Sequence, residues 1–419
     1  MDRPCIVIVR EGISGGTASL SFRIIMALRE KGFDCMYFCR QINDESNYNL
    51  FTGNGIDVEC IDDYSYSKHL LKRCKDGIRY KFLTYSIEEN LVVEKLRDKY
   101  CNYNIESCLY YVVHHYAFGK KGCSLLEKLI SIIKYRILIK LLFSARSILF
   151  MSELCLENAR SVLSLEMSNA DDYVYYLPVK INRFTREQIQ AKKRHTPIVI
   201  SSITRLEFPF KEYVMGLLDW FGNNSIGNIN LIIVGDGRDR QLFLKKLNSI
   251  DVEKRKRIKY YPNIQYDKLS DIFELSDLYV GMGTTLIDAA NNLTLALPVN
   301  GYTNKIEVSG LLSENIRELF ASGEKKSFDH YIQQLINMSD AEYINQILIQ
   351  YELFCKTYDI DNFVNYFLYS SYDIKSKAFT RKLKRKIIIH LYFYFFLIRE
   401  WYCTWVIRKK SVIISAQVK

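Results

Sequence analysis

Arg205 and Lys211 sit in one stretch, Ser201-Ser-Ile-Thr-Arg-Leu-Glu-Phe-Pro-Phe-Lys211, between an apolar run and an amphipathic one. Two cations at the carboxyl edge of a parallel sheet are placed where a diphosphate would bind. The plainer reading is a pair of solvated surface cations. A second stretch runs Asp277-Leu-Tyr-Val-Gly-Met-Gly-Thr-Thr-Leu-Ile-Asp-Ala-Ala290. Here a strand gives way to Gly283, Thr284 and Thr285 at the start of a helix, where free backbone N–H groups and hydroxyls suit a phosphate. Asp288 follows, placed either to accept from a ribose hydroxyl or to complement the helix dipole.

Two further stretches are less specific. Arg10-Glu-Gly-Ile-Ser-Gly-Gly-Thr-Ala18 follows an apolar run and opens a helix. Gly15 and Gly16 let a backbone approach an anionic ligand closely, or simply make a tight turn. The spacing is not the dinucleotide fingerprint, and no acid ends the next strand, so a nicotinamide dehydrogenase is disfavoured. His114 and His115 end another apolar run, Cys108–Val113. His115 is a candidate for contact with a transferred group. A metal would need further ligands at suitable spacing, and the sequence offers none.

The elements that must carry these residues alternate between short apolar runs and amphipathic segments. Cys5–Val9, Cys35–Cys39, Cys108–Val113 and Ser147–Met151 read as strands of a parallel α/β sheet. The chain turns polar between Thr185 and His195, which predicts a linker. Four strand–helix units follow: Ile198–Ile203 with Lys211–Phe221, Asn230–Val234 with Arg238–Leu247, Ile258–Tyr261 with Lys268–Leu275, and Leu278–Gly281 with Thr285–Asn291. That repetition predicts a second doubly wound domain. Residues Phe328–Tyr369 read as helical.

Composition places the charge. Of 58 Lys and Arg, 12 fall from Lys375 onward, against one acid of 47, Glu400, so the tail carries the whole excess of +11. A nucleic-acid binder would more often spread basic surface over its body, so none is expected. The tail mixes Arg381-Lys-Leu-Lys-Arg-Lys386 with the apolar run Ile387–Ile398 and with Trp401, Tyr402 and Trp405. That run is too short to span a bilayer as a helix, and its basic and aromatic flanks suit an anionic membrane surface. Packing on the body is the alternative. Ser124–Leu142, basic and amphipathic, reads either as a second surface contact or as a covering helix with snorkelling lysines. Eleven cysteines without zinc spacing, behind a start that lacks a signal-peptide core, predict reduced thiols and a cytoplasmic protein at the inner face of the plasma membrane.

Three of these motifs, together with a turn at Val234–Gly237, resemble the GT-B glycosyltransferases of the family-four type found in capsule and O-antigen synthesis. Gly15-Gly16 is similar to the family's glycine loop, Arg205…Lys211 to its diphosphate clamp, and Val234-Gly-Asp-Gly237 to its glycine turn. Asp271–Ala290 is similar to the stretch that carries the family's Glu-x7-Glu motif, with Asp288 at the second acid and Val280 at the first. The segment from Asn291 to Pro298 is about three residues longer than the family's spacing.

The resemblance implies two Rossmann-like α/β domains facing a cleft: an acceptor-binding domain over residues 1–182, a nucleotide-sugar domain over 195–356, and helices with a membrane-associating tail over 357–419. It implies transfer of a sugar from a nucleotide sugar to a lipid-linked glycan, with no cofactor and no metal. A nucleotide-sugar epimerase and a non-catalytic scaffold remain the competing readings.

Overall fold

In the computed structural model, the described residues are 3–369, apart from 14, 61–76, 91, 94–103, 114–131, 133–134, 137–138, 141, 144–146, 164–169, 225–227, 265–267 and 322. His115, the tail from Lys375, and most of Ser124–Leu142 lie outside the described residues. Two compact units form. One takes in the described residues up to Phe150, Glu157–Tyr173 and 367–369, and the other Met151–Leu156 and Val174–Tyr366.

The first unit holds a six-stranded sheet: β1 (Cys5–Gly12), β2 (Cys35–Gln41), β3 (Asp57–Cys60), β4 (Arg79–Thr84), β5 (Asn104–Val112) and β6 (Ile148–Phe150). The order is β3-β2-β1-β4-β5-β6 and every pairing is parallel. Val7, Val9, Phe38, Phe82 and Cys108 form one buried cluster on this sheet. Order reverses between β1 and β4, and a ligand of a doubly wound sheet binds at such a reversal, outside the carboxyl ends of the strands. Gly15 opens the Gly15–Glu30 helix at that edge, directly after β1.

The second unit repeats the plan with β7 (Ile198–Ile203), β8 (Ile229–Val234), β9 (Ile258–Tyr261), β10 (Leu278–Gly281) and β11 (Leu295–Pro298), in the order β11-β10-β7-β8-β9. All four pairings are parallel. Its reversal lies between β7 and β10, the two strands that lead into Arg205 and Gly283.

β3, β4 and β11 do not stand out in the sequence. β4 is a central strand, yet it carries Lys81, whose buried ammonium donates to the Leu368 carbonyl. Burial draws the pKa of Lys81 down. β11 is brief and ends at Pro298. Its exposed edge is closed by the buried Gln350, which accepts from the Ala296 N–H (2.9 Å) and donates to the Thr294 carbonyl (2.8 Å). The long spacing before β11 is a helix end: Leu293 takes φ 57, and the Thr294 N–H returns to the Ala289 carbonyl.

The helical region from Phe328 divides into Phe328–Asn337, Asp340–Tyr358 and Ile360–Tyr369. The first break is set by Ser339, which exchanges a capping box with Glu342.

Candidate functional site

At the end of β7 the chain crosses to the turn after β8. Thr204 N–H donates to the Val234 carbonyl and Leu206 N–H to the Asp236 carbonyl, both at 2.9 Å. Gly235 and Gly237 are obligatory there, because an added Cβ would strike the carbonyls of Thr204 and Leu206. Asp239 completes the clamp: its carboxylate accepts from the Phe208 N–H (2.7 Å), and its own N–H donates to the Leu206 carbonyl (3.0 Å). The Phe208 N–H first, and the Arg238 guanidinium second, hold the Asp239 carboxyl below its usual range. The family-like glycine turn thus has a mechanical job. It fixes the loop that presents Arg205.

Arg205 is exposed and, among the described residues, makes a loose ion pair with Glu207 at 4.0 Å. Lys211 lies in a turn just ahead of the Tyr213–Asn223 helix rather than inside it, with its ammonium 4.8 Å from the centre of the Phe210 ring. Burial first, and the Arg205 charge second, push the Lys211 pKa down to about 8, against a smaller opposing pull from Glu207. Among the described residues no carboxylate forms an ion pair with Lys211. Two cations close enough to repel, one of them desolvated, make a site whose electrostatic deficit an anion would relieve.

The other wall comes from β10. Gly283 caps the Thr284–Asn291 helix with φ 78, a conformation that favours glycine, and its N–H goes to the Leu319 carbonyl (2.8 Å). Thr284 and Thr285 are the first helical residues, so their N–H groups have no intrahelical acceptor. The Thr285 hydroxyl is engaged by the Tyr279 hydroxyl (2.5 Å) and the Met282 carbonyl (3.4 Å), so what Thr285 offers a ligand is its N–H. The Tyr279 hydroxyl also lies 3.0 Å from the Ile203 carbonyl, which ties the helix start to the end of β7. Asp288 is the fifth residue of this helix, past the first turn, where the dipole has faded.

The second-sheet candidates, Arg205, Lys211, Gly283, Thr284, Thr285 and Asp288, therefore share one sheet edge. Gly15 and Gly16 stand at the corresponding edge of the other unit. There Arg10 donates to the Thr17 hydroxyl (3.2 Å) and faces Glu89 at 3.9 Å.

Asp277, in the same stretch, is structural. Fully buried, it accepts from the N–H groups of His195 (2.9 Å) and Val199 (2.7 Å), and so pins the entry to β7.

Sequence reasoning missed Glu318 and Tyr302. Burial and the neighbouring Glu153 raise the Glu318 carboxyl to about 7, and the next residue supplies the carbonyl that receives Gly283. Tyr302 stands on the loop after β11, 73% exposed. Neither has a local pattern to betray it, because each acquires its setting from a distant stretch of chain. Among the described residues no group of three His, Cys, Asp or Glu converges to hold a metal, and no helix is long and apolar enough to cross a membrane.

No family model matches the sequence, and no curated protein sequence matches it either. Among solved structures, the chain is similar to Anabaena HepE in complex with UDP, at 14% identity and a TM-score of 0.58 over 86% of this chain and 97% of that one. It is also similar to the lipopolysaccharide outer core galactosyltransferase WaaB, at 17% identity and a TM-score of 0.53 over 86% and 98%. A third likeness is to a glycosyltransferase from Rickettsia africae, at 12% identity and a TM-score of 0.61 over 88% and 100%. These likenesses show the fold: two Rossmann-like parallel α/β sheets, as in the GT-B glycosyltransferases.

Proposed function

We propose that this chain is a glycosyltransferase that moves a sugar from a nucleotide-sugar donor to a lipid-linked glycan in surface polysaccharide synthesis, working at an anionic membrane surface. The observation that carries the reading is the pairing of Arg205 with a desolvated Lys211, at the same sheet edge as the N–H groups of Thr284 and Thr285, where the order of the second sheet reverses. Negative charge grows on the leaving diphosphate as the glycosidic bond breaks. Fixed cations and N–H dipoles aimed at that charge lower the barrier, and they do so without needing a divalent ion. Asp288 accepts from the ribose, and the backbone at Gly15 and Gly16, opening a helix, suits an anionic group. His115 contacts the transferred sugar or the acceptor. Solved relatives in fold hold UDP, so uridine diphosphate sugars are the first donors to try.

A non-catalytic scaffold is the second reading. Val280 occupies the position of the family motif's first acid, and it is fully buried in β10. Donor hydrolysis over a panel of sugar nucleotides, with and without EDTA, separates the two. Enzymatic release of nucleoside diphosphate that survives EDTA is expected. Absence of release with every donor supports the scaffold, and release that only Mg²⁺ or Mn²⁺ restores overturns the cation clamp.

A further inference from the structure

Tyr302 combines three properties that seldom coincide in a residue whose only task is packing. Its ring is 73% exposed, its backbone takes φ 59, and the loop beneath it is pinned at several points. The Tyr302 N–H donates to the Phe210 carbonyl (3.0 Å). Asn300 and Glu307 close the loop through a backbone bond of 3.1 Å and a side-chain bond of 3.1 Å. At Gly301 an added Cβ would lie 2.9 Å from the Phe210 carbonyl oxygen and 3.0 Å from Met282, so the loop is seated tightly on the site. A left-handed backbone at a bulky residue costs stability, and it persists only where its surroundings impose it, most often at functional sites.

What Tyr302 faces is informative. Its ring centre lies 5.0 Å from that of Phe210, and the Lys211 ammonium lies 4.8 Å from the same Phe210 ring. Two aromatic rings thus lead away from the cation pair, across the end of β10 toward β11. Resting on the diphosphate assignment above, we infer that Tyr302 and Phe210 form a ledge on which the apolar C–H face of the donor's pyranose stacks. Aromatic side chains supply large contact area and orient a ligand whose polar groups bind elsewhere.

The full-length chain titrated calorimetrically with UDP, GDP and their common hexose derivatives tests this. Tyr302→Ala should weaken the preferred sugar nucleotide about three- to tenfold, the range of one aromatic stacking contact, with affinity for the bare nucleoside diphosphate within twofold of wild type. Tyr302→Phe should bind as wild type. Tyr302→Gly, which relieves the left-handed backbone, should match Tyr302→Ala in binding while keeping or raising Tm. Equal weakening of diphosphate and sugar nucleotide would place the ring on the nucleoside and overturn the ledge. So would unchanged sugar-nucleotide affinity in Tyr302→Ala, or a lower Tm in Tyr302→Gly, which would make Tyr302 a packing element. If wild type binds none of these compounds, the donor reading itself fails, a result distinct from failure of the ledge.

Discussion

At Lys211 the pKa of about 8 has two consequences of opposite sign. Its ordinary value is 10.5, so between about pH 8 and 10.5 the unfolded chain binds the proton and the folded chain does not. Fold stability from this group therefore rises with pH across that window. Nucleotide affinity moves the other way, because the ammonium that the diphosphate needs is lost. Affinity for UDP or the preferred donor should fall by up to tenfold per pH unit above pH 8, and Lys211→Arg should flatten that fall. A wild-type affinity that stays level from pH 7 to 9.5 would remove Lys211 from the clamp. Arg205→Ala and Lys211→Ala should each raise the transfer barrier by roughly 2–4 kcal/mol, the size of one lost charge-stabilising group. Turnover at wild-type rate in a folded mutant would refute it.

Glu318 has the inverse sign. Its carboxyl is raised from 4.5 to about 7, so the folded chain binds more protons between those values and stability declines as pH rises through the window. Glu318→Gln should therefore be near neutral at pH 5. At pH 8 it should be more stable than wild type by about 1 kcal/mol, a figure discounted because the group is partly solvated. Urea melts at the two pH values decide it, and an identical gap at both would show that the carboxylate carries no burial cost.

At the scale of elements, the glycine turn after β8 is the part on which Arg205 depends. Gly235→Ala puts a methyl against the Thr204 carbonyl, so the loop must shift. The expected cost is about 1–3 kcal/mol of stability, accompanied by weaker donor binding even though Gly235 touches no ligand in this reading. Chemical melts and calorimetry on one preparation measure both, and unchanged affinity at lowered stability would uncouple turn from site.

The same elements show what a sequence can reveal. β7 and β10 were legible to the residue, because each is a short, mainly apolar run bounded by polar or glycine-rich chain. β4 was not, because Lys81 interrupts its apolar pattern and is satisfied by Leu368, which lies nearly three hundred residues away in sequence. The diphosphate candidates were legible as well, since they follow strand ends, where doubly wound sheets bind ligands. Tyr302 and Glu318 were hidden because what distinguishes them is exposure, backbone conformation and proton affinity, all of them created by tertiary neighbours.

At the scale of the whole molecule, the charge distribution sets the last prediction. The chain before Lys375 is electrically balanced, and the segment beyond it holds 12 Lys and Arg against one acid. Near an anionic leaflet each such cation contributes about 1 kcal/mol, screened within a Debye length. Half of them at the surface would supply several kcal/mol before any ring inserts. On the proposed reading, Trp401, Trp405 and the Phe and Tyr residues of Ile387–Ile398 would add apolar burial, so high salt alone should release the protein only in part. A lipid-linked acceptor is confined to the same surface, and anchoring would raise its effective concentration at the enzyme. A chain ending before Lys375 should therefore leave anionic vesicles and glycosylate lipid-linked acceptors more slowly, while donor affinity, which depends on Arg205, Lys211 and the Thr284 helix start, stays unchanged. Flotation with vesicles rich in phosphatidylglycerol, run beside donor titrations of both chains, is the measurement. Equal flotation of the two chains would make the tail a packing element, and loss of donor affinity on truncation would show that the nucleotide site needs it.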